Sequence, residues 1–379
     1  MGGRPLEVTE AQALAFRARR GHLAGGGAAS PVDAARAVVG IQAQVEGPAL
    51  WSLAMRCADP PTAEALSRRI LEARDLIRIW AQRDTLHLYA AADWPLVAAA
   101  DPCWPISGRR GASPPDEALA ETRRRMAAAG GVATRADLFD VATDEMVADM
   151  AERVPAEQAR RYAAGRLPWR LSHLGEVCLG PKVGREQGYA LRSHWLPDLE
   201  LREIEPEEAT RELTRRYLAV NGPATARDVA HYFGTKIGDA KSWIQGLGDE
   251  VRAVRCEGRD ELFVLAQDAD DLSGDDAPPP PRLLAAYDTL LMSHHDKTWT
   301  VPQESERSKV WRRLAHVSAV VLAGGRAVAV WTHKKTKKRL TVSVEPLSGW
   351  RKRDERALAA DAEALAEHLG VPGVEVRVR

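Results

Sequence analysis

Apolar residues recur at helical spacing over PEEATRELTRRYLAVNG (206–222), at Leu213, Tyr217 and Leu218, and DEALAETRRRMAAAG (116–130) also reads as a helix. Each stretch runs into a glycine-containing turn and then a second short segment. These segments are GVATRADLFDVA (131–142) and GPATARDVAHYF (222–233). Gly131, Ala133, Thr134 and Asp137 align with Gly222, Ala224, Thr225 and Asp228, and Leu138 aligns with Val229. A weaker copy, AASPVDAARAV (28–38), puts Ser30 and Asp33 in the Thr and Asp places. Thr134, Thr225 and Ser30 are predicted N-caps, their hydroxyls accepting backbone N–H groups of the next turn. The aspartate three residues later complements the helix dipole and can close a capping box. Helix, tight turn, capped helix is the pattern of a helix-turn-helix.

Behind each copy the periodicity changes to that of strands. VRAVRCEGRDELFVLA (251–266) predicts a hairpin with its turn at Glu-Gly-Arg-Asp. EVCLG and YALRS, inside 167–196, flank a turn rich in Gly, Pro and Lys, and LIRIWAQRDTLHLYAA (76–91) reads as a hairpin turning at Gln82–Thr85. A helix-turn-helix followed by a hairpin is a winged helix. The expectation is an α+β chain of three tandem winged-helix units, at 1–110, 111–200 and 201–267. An acidic, proline-ended linker, DADDLSGDDAPPPPR (268–282), leads to a β-rich module over 283–379. That module reads as strands through RLLAAYDTLLM, HVSAVVLAGGRAVAVWTHKKTKKRLTVSVEPL and VEVRVR. One amphipathic helix, RDERALAADAEALAEHLG (353–370), closes on Gly370.

Composition narrows the class. The chain has 379 residues, 45% hydrophobic and 28% charged, with Lys+Arg and Asp+Glu equal at 53, so bulk basicity gives no argument for nucleic acid. Four separated cysteines form no CxxC pair, which speaks against a metal framework or a disulfide scaffold. No secretory signal and no membrane-spanning run is visible, so the expectation is a cytoplasmic protein with reduced thiols.

Charge is clustered instead. His333, Lys334, Lys335, Lys337, Lys338 and Arg339 crowd a predicted hairpin tip, which suits phosphate contacts or groove insertion as well as it suits a solubilising turn. In TLLMSHHDKTWTVPQ (289–303), His294, His295, Asp296 and Lys297 follow an apolar run predicted as strand. Their spacing is not that of a metal site, so a polar cleft or a DNA-facing loop is the reading, with no metal and no cofactor. Trp80, Arg83, Thr85 and His87 alternate along the first hairpin, and Trp80 also reads as core. Finally, VVGIQAQVEG (38–47) sets Gln42 and Gln44 one residue apart between a capped helix ending at Gly40 and a helix with Pro48 in its first turn. They are either surface amides or a working pair, and a working pair needs an extended backbone that puts both on one face.

Taken in order, IQAQVEGPALWSLAMR, WAQRDTLHLYAAADW, YLAVNGPATARDVAHYFG and YDTLLMSHHDK resemble the AlkZ/YcaQ-like family of bacterial winged-helix DNA glycosylases. The resemblance spans nearly the whole chain and is strongest at 38–100, 217–234 and 283–300. It implies a C-shaped molecule with a concave basic surface, and a catalytic Gln-x-Gln motif matched here by Gln42 and Gln44, as in the AlkZ branch. It further implies hydrolysis of cationic N7-alkylated purines, with bulky natural-product adducts and interstrand crosslinks as further substrates in antibiotic self-resistance. The partner would be alkylated duplex DNA, met by a monomer through Arg83, His87, His294, His295, Lys297 and the 333–339 cluster. Two amides suffice for that chemistry because the leaving base is already cationic and needs no general acid. Glu46, the nearest carboxylate, either assists or is a surface residue. The competing reading is a non-catalytic winged-helix DNA binder or regulator.

Overall fold

The structure is a computed structural model describing residues 4–104, 113–200, 202–274 and 277–379. The boundary expected at 110 lies outside the described residues. The chain divides into two compact units, Arg68–Ala209 and the combination of Met1–Ser67 with Thr210–Arg379.

The continuous unit carries two of the expected hairpins. Leu76–Ala81 pairs antiparallel with Thr85–Ala90, and Val177–Val183 pairs antiparallel with Glu186–Leu191. Arg78 opposite Leu179 joins them, and Val132–Thr134 adds an edge beside Glu186–Leu191. Against this sheet packs helix Ala156–His173, whose Ala163, Leu167 and Leu171 are fully buried with Met126, Leu138 and Val177. Trp80 is core here, stacked at 6.1 Å on Tyr189. Two expectations change. Thr134 ends a strand, and although it exchanges hydrogen bonds with Asp137, a 3-10 helix (Ala136–Val141) follows it. Arg192 and Ser193, read as strand, begin a short helix, Arg192–Trp195.

The discontinuous unit opens with a strand too short to show periodicity, Leu6–Val8, which pairs in parallel with Val251–Cys256. That strand and Arg259–Leu265 form the third expected hairpin. Helix Glu10–Arg20 lies over it and buries Leu14 and Phe16 with Val254, Val264, Leu272 and Trp299. Helix Ala226–Phe233 starts on Thr225, with both hydrogen bonds of a capping box to Asp228, and stops on Gly234 at φ 75°. Ser30 caps Pro31–Ala37 by accepting from the Asp33 N–H.

The C-terminal sheet runs in the spatial order Arg282–Leu284, Val320–Ala323, Arg326–Lys335, Leu340–Pro346, Val374–Val378. Helix Lys352–His368 connects Leu340–Pro346 to the edge strand Val374–Val378, which pairs with it in parallel, and ends before Gly370 at φ 66°. Here, too, the sequence misleads twice. Thr289–Ser293 is a helix and not a strand, because Asp288 caps it by accepting from the Leu290 N–H. The expected linker is partly structured: Ala269–Ser273 is helical and buries Leu272 completely. Asp275 and Asp276 of that segment lie outside the described residues.

Candidate functional site

The glutamines sit where a helix ends abruptly. Pro31–Ala37 stops at Val38, and the next two residues, Val39 (φ 57°) and Gly40 (φ 87°), both take left-handed backbone angles. Glycine adopts that conformation freely, but a β-branched valine does so at a cost of about 1–3 kcal/mol. The chain then extends through Ile41–Gln42 before helix Glu46–Ala54 begins. Ile41 and Ala43 are fully buried, Gln42 is half-buried and Gln44 is exposed. This alternation puts both amides on the solvent side of one segment, which is the geometry a working pair requires.

Three stretches distant in sequence hold the segment. The buried Tyr232 hydroxyl, from helix Ala226–Phe233, lies 3.1, 3.1 and 3.3 Å from the carbonyl oxygens of Val38, Val39 and Gly40. Its ring packs 5.0 Å from Tyr217, whose hydroxyl donates to the Ser293 carbonyl at 2.7 Å. On the other flank, Arg56 ends the LAMR turn. Its guanidinium makes a two-pronged pair with Asp288 at 2.8 Å each, both side chains essentially inaccessible, and Ser52 Oγ donates to the same carboxylate at 2.7 Å. Trp51 Nε1 donates to the Leu283 carbonyl at 2.7 Å. The sequence reading passed over Tyr232, Arg56 and Asp288. A tyrosine on a buried helix face, an arginine closing an apolar helix and an aspartate before TLLM were the available signals.

The His294–Lys297 stretch is built inward. His294 is buried, with Nε2 3.0 Å from the Asn221 carbonyl and Nδ1 2.8 Å from Ser293 Oγ, and burial drags its pKa far down, so the ring is neutral at pH 7. The His295 N–H donates to Asp228 at 2.8 Å while its ring is exposed, 5.7 Å from that of His231. Lys297 Nζ donates to the Leu291 and His294 carbonyls at 3.2 and 2.5 Å and lies 3.4 Å from His231 Nε2. Those partners occupy the three donors of an ammonium.

The basic hairpin faces the other way. Residues 332–339 are all exposed, and the tip is closed by Thr336, which donates to the Arg339 carbonyl and accepts the Arg339 N–H. Lys335 reaches the Leu369 carbonyl and Arg339 reaches Glu375, at 2.6 and 3.3 Å.

In the continuous unit, Arg83 (φ 57°) and Asp84 (φ 56°) form the tight turn of the first hairpin. Arg83 is half-buried, 3.5 Å from His87 Nε2, and His87 is enclosed. Burial, reinforced by Arg83, pushes the His87 pKa down to about 3, so it carries no charge for a phosphate. Asp84 is pinned by Trp169 Nε1 and by His173, which also meets Asp101. Burial pulls the His173 pKa down, but hydrogen bonds to Asp101 and Asp84 outweigh it and hold the ring above its ordinary value.

Among the described residues no group of three or more His, Cys, Asp or Glu side chains could hold a metal ion, and no helix is long and apolar enough to cross a membrane.

Comparison with known proteins bears directly on this arrangement. The family described as "DNA glycosylase AlkZ-like" matches residues 35–368. A relative named "Interstrand DNA cross-link repair glycosylase", from Streptomyces sahachiroi, is 28% identical over 98% of this chain and 100% of its own. The solved structure of Streptomyces sahachiroi DNA glycosylase AlkZ superposes with a TM-score of 0.80 at 26% identity. The superposition covers 99% of this chain and 100% of that one.

Proposed function

This chain belongs to the AlkZ-like DNA glycosylase family and is a DNA repair enzyme; from that premise we propose that it hydrolyses the N-glycosidic bond of cationic N7-alkylated purines in duplex DNA. Gln42 and Gln44 are the catalytic pair. The observation carrying this reading is the alternation at 41–44, which turns two neutral amides toward solvent just after a backbone turn met by Tyr232.

An N7-alkylguanine leaves as a neutral base, so no side chain has to protonate it. The barrier lies in building oxocarbenium character at C1′ and bringing water to it. The carbonyl oxygens of Gln42 and Gln44 accept hydrogen bonds from that water and set their negative dipole ends toward the developing cation. A site without a strong acid selects for activated bases and leaves normal purines alone. The enzyme is monofunctional, with no lysine assigned as a Schiff-base nucleophile. The exposure of Gln44 suits bulky adducts, which are too large for a flipping pocket, and the name of the Streptomyces relative brings interstrand crosslinks into the same proposal.

Three tandem winged-helix units with the boundaries given above supply the DNA-binding frame, in a cytoplasmic monomer. Lys334, Lys335, Lys337, Lys338, Arg339 and His333 meet phosphates at the exposed hairpin, joined by Arg83 and the exposed ring of His295. Buried His87 and His294, and Lys297 with its donors already occupied, act by holding these loops.

The test is release of 7-methylguanine from methylated duplex DNA by the wild type and by the Gln42→Ala/Gln44→Ala variant. Release by the wild type alone supports the reading, and equal release by both ends the catalytic assignment. Release by neither removes 7-methylguanine as substrate and moves the same pair of proteins to a bulky-adduct duplex. Inactivity of the wild type there overturns the proposed substrate class.

A further inference from the structure

We infer that Tyr232 is a positioning residue for catalysis, acting through the backbone of Val38–Gly40 and never touching the substrate; the inference rests on the assignment of Gln42 and Gln44. Three successive carbonyl oxygens converge within 3.3 Å of one buried hydroxyl. A phenol has a single proton, so the three acceptors share it. Three carbonyls lie side by side only because the backbone reverses through Val39 and Gly40 in the left-handed region. Val39 is itself buried and cannot escape by turning outward. The first residue after this reversal is Ile41, fully buried, and the next is Gln42. If Val39 relaxed to a right-handed or extended angle, the reversal would open and the outward face of the 41–44 segment would rotate. The two amides would then lose their common aim while the fold around them stayed intact.

The Tyr232 ring is held independently of its hydroxyl, at 5.0 Å from Tyr217 and 5.2 Å from Phe233. Phenylalanine therefore fills the same volume, and Tyr232→Phe isolates the hydroxyl. Val39→Gly tests the other half, because glycine holds a left-handed angle without help.

Four proteins are compared in single-turnover release of 7-methylguanine and in binding to the same duplex: wild type, Tyr232→Phe, Tyr232→Phe/Val39→Gly and Gln42→Ala. Amide exchange of residues 38–45 is followed without DNA. The expected result for Tyr232→Phe is a rate at least tenfold lower, a dissociation constant within twofold of wild type, and faster exchange confined to 38–45. Adding Val39→Gly should restore most of the rate. Wild-type rate and exchange in Tyr232→Phe, with Gln42→Ala inactive, would overturn the role of Tyr232 and leave the glutamines standing. A parallel loss of rate and affinity, or no recovery in the double variant, would also overturn it, showing a general structural role. Undiminished release by Gln42→Ala removes the premise and the inference with it. On a wild type that releases no 7-methylguanine, the exchange measurement decides: unchanged exchange at 38–45 overturns the clamp.

Discussion

On the proposed reading, the Gln42–Gln44 segment and the His333–Arg339 hairpin are opposite ways of building a working surface in one unit. The first is uncharged; Tyr232 meets the backbone just before it, and the buried Arg56–Asp288 pair ties down the far end of the helix that follows. The second puts five Lys and Arg side chains on the exposed stretch 332–339, carried by a strand pair and closed by the turn at Thr336. Placing a water against one carbon needs tenths of an ångström, which only packing and directional bonds supply. Attracting a phosphate backbone needs field, which falls off slowly and tolerates loose geometry.

The sharpest break of this contrast is to remove the amides. Gln42→Ala/Gln44→Ala is expected to lower the excision rate by about a thousandfold, ~4 kcal/mol of barrier, with DNA affinity within threefold of wild type. Single-turnover kinetics beside fluorescence anisotropy check both halves, and a matching collapse of affinity would merge the two regions into one function. Next comes the anchor. Arg56→Met leaves the Asp288 carboxylate buried without its partner, and urea unfolding should show a loss of about 3 kcal/mol. A loss under 1 kcal/mol would mean that the pair contributes little to holding the segment.

Neutralising Lys334, Lys335, Lys337, Lys338 and Arg339 to alanine should act only on binding. The slope of log affinity against log salt should flatten by about 0.9 for each phosphate that is no longer neutralised, with the single-turnover rate at saturation unchanged. An unaltered slope would take the hairpin out of the interface.

The smallest effect separates a third kind of support, the titrating one under the Arg83 turn. The folded-state pKa of His173 lies above its ordinary 6.5, so its stabilising contribution is complete below that pH and is lost as pH rises through the folded value. Thermal midpoints from pH 6 to 9 should decline in the wild type, and His173→Gln should lack that component. Superimposable slopes would place the titrating group elsewhere.

The helix starts were legible where a side chain closes its own cap. Thr225 with Asp228 and Ser30 with Asp33 need only three residues of context. Asp288 uses the same chemistry, yet the apolar TLLM behind it matches a strand as well as a short helix, and only the folded chain chose. Leu6–Val8 was invisible because three residues carry no period and its partner lies more than 240 residues away.

By itself the sequence determined the helices capped by Ser30 and Thr225, the three hairpins and the basic tip, because each is set by neighbours a few residues apart. It also placed two glutamines between a helix end and a helix start. That they share a face, and what holds them there, was decided by tertiary structure alone. One phenol from helix Ala226–Phe233 meets the turn at Val38–Gly40 nearly 200 residues away, one aspartate before Thr289 meets Arg56 more than 230 residues away, and such contacts form only when burial brings those segments together.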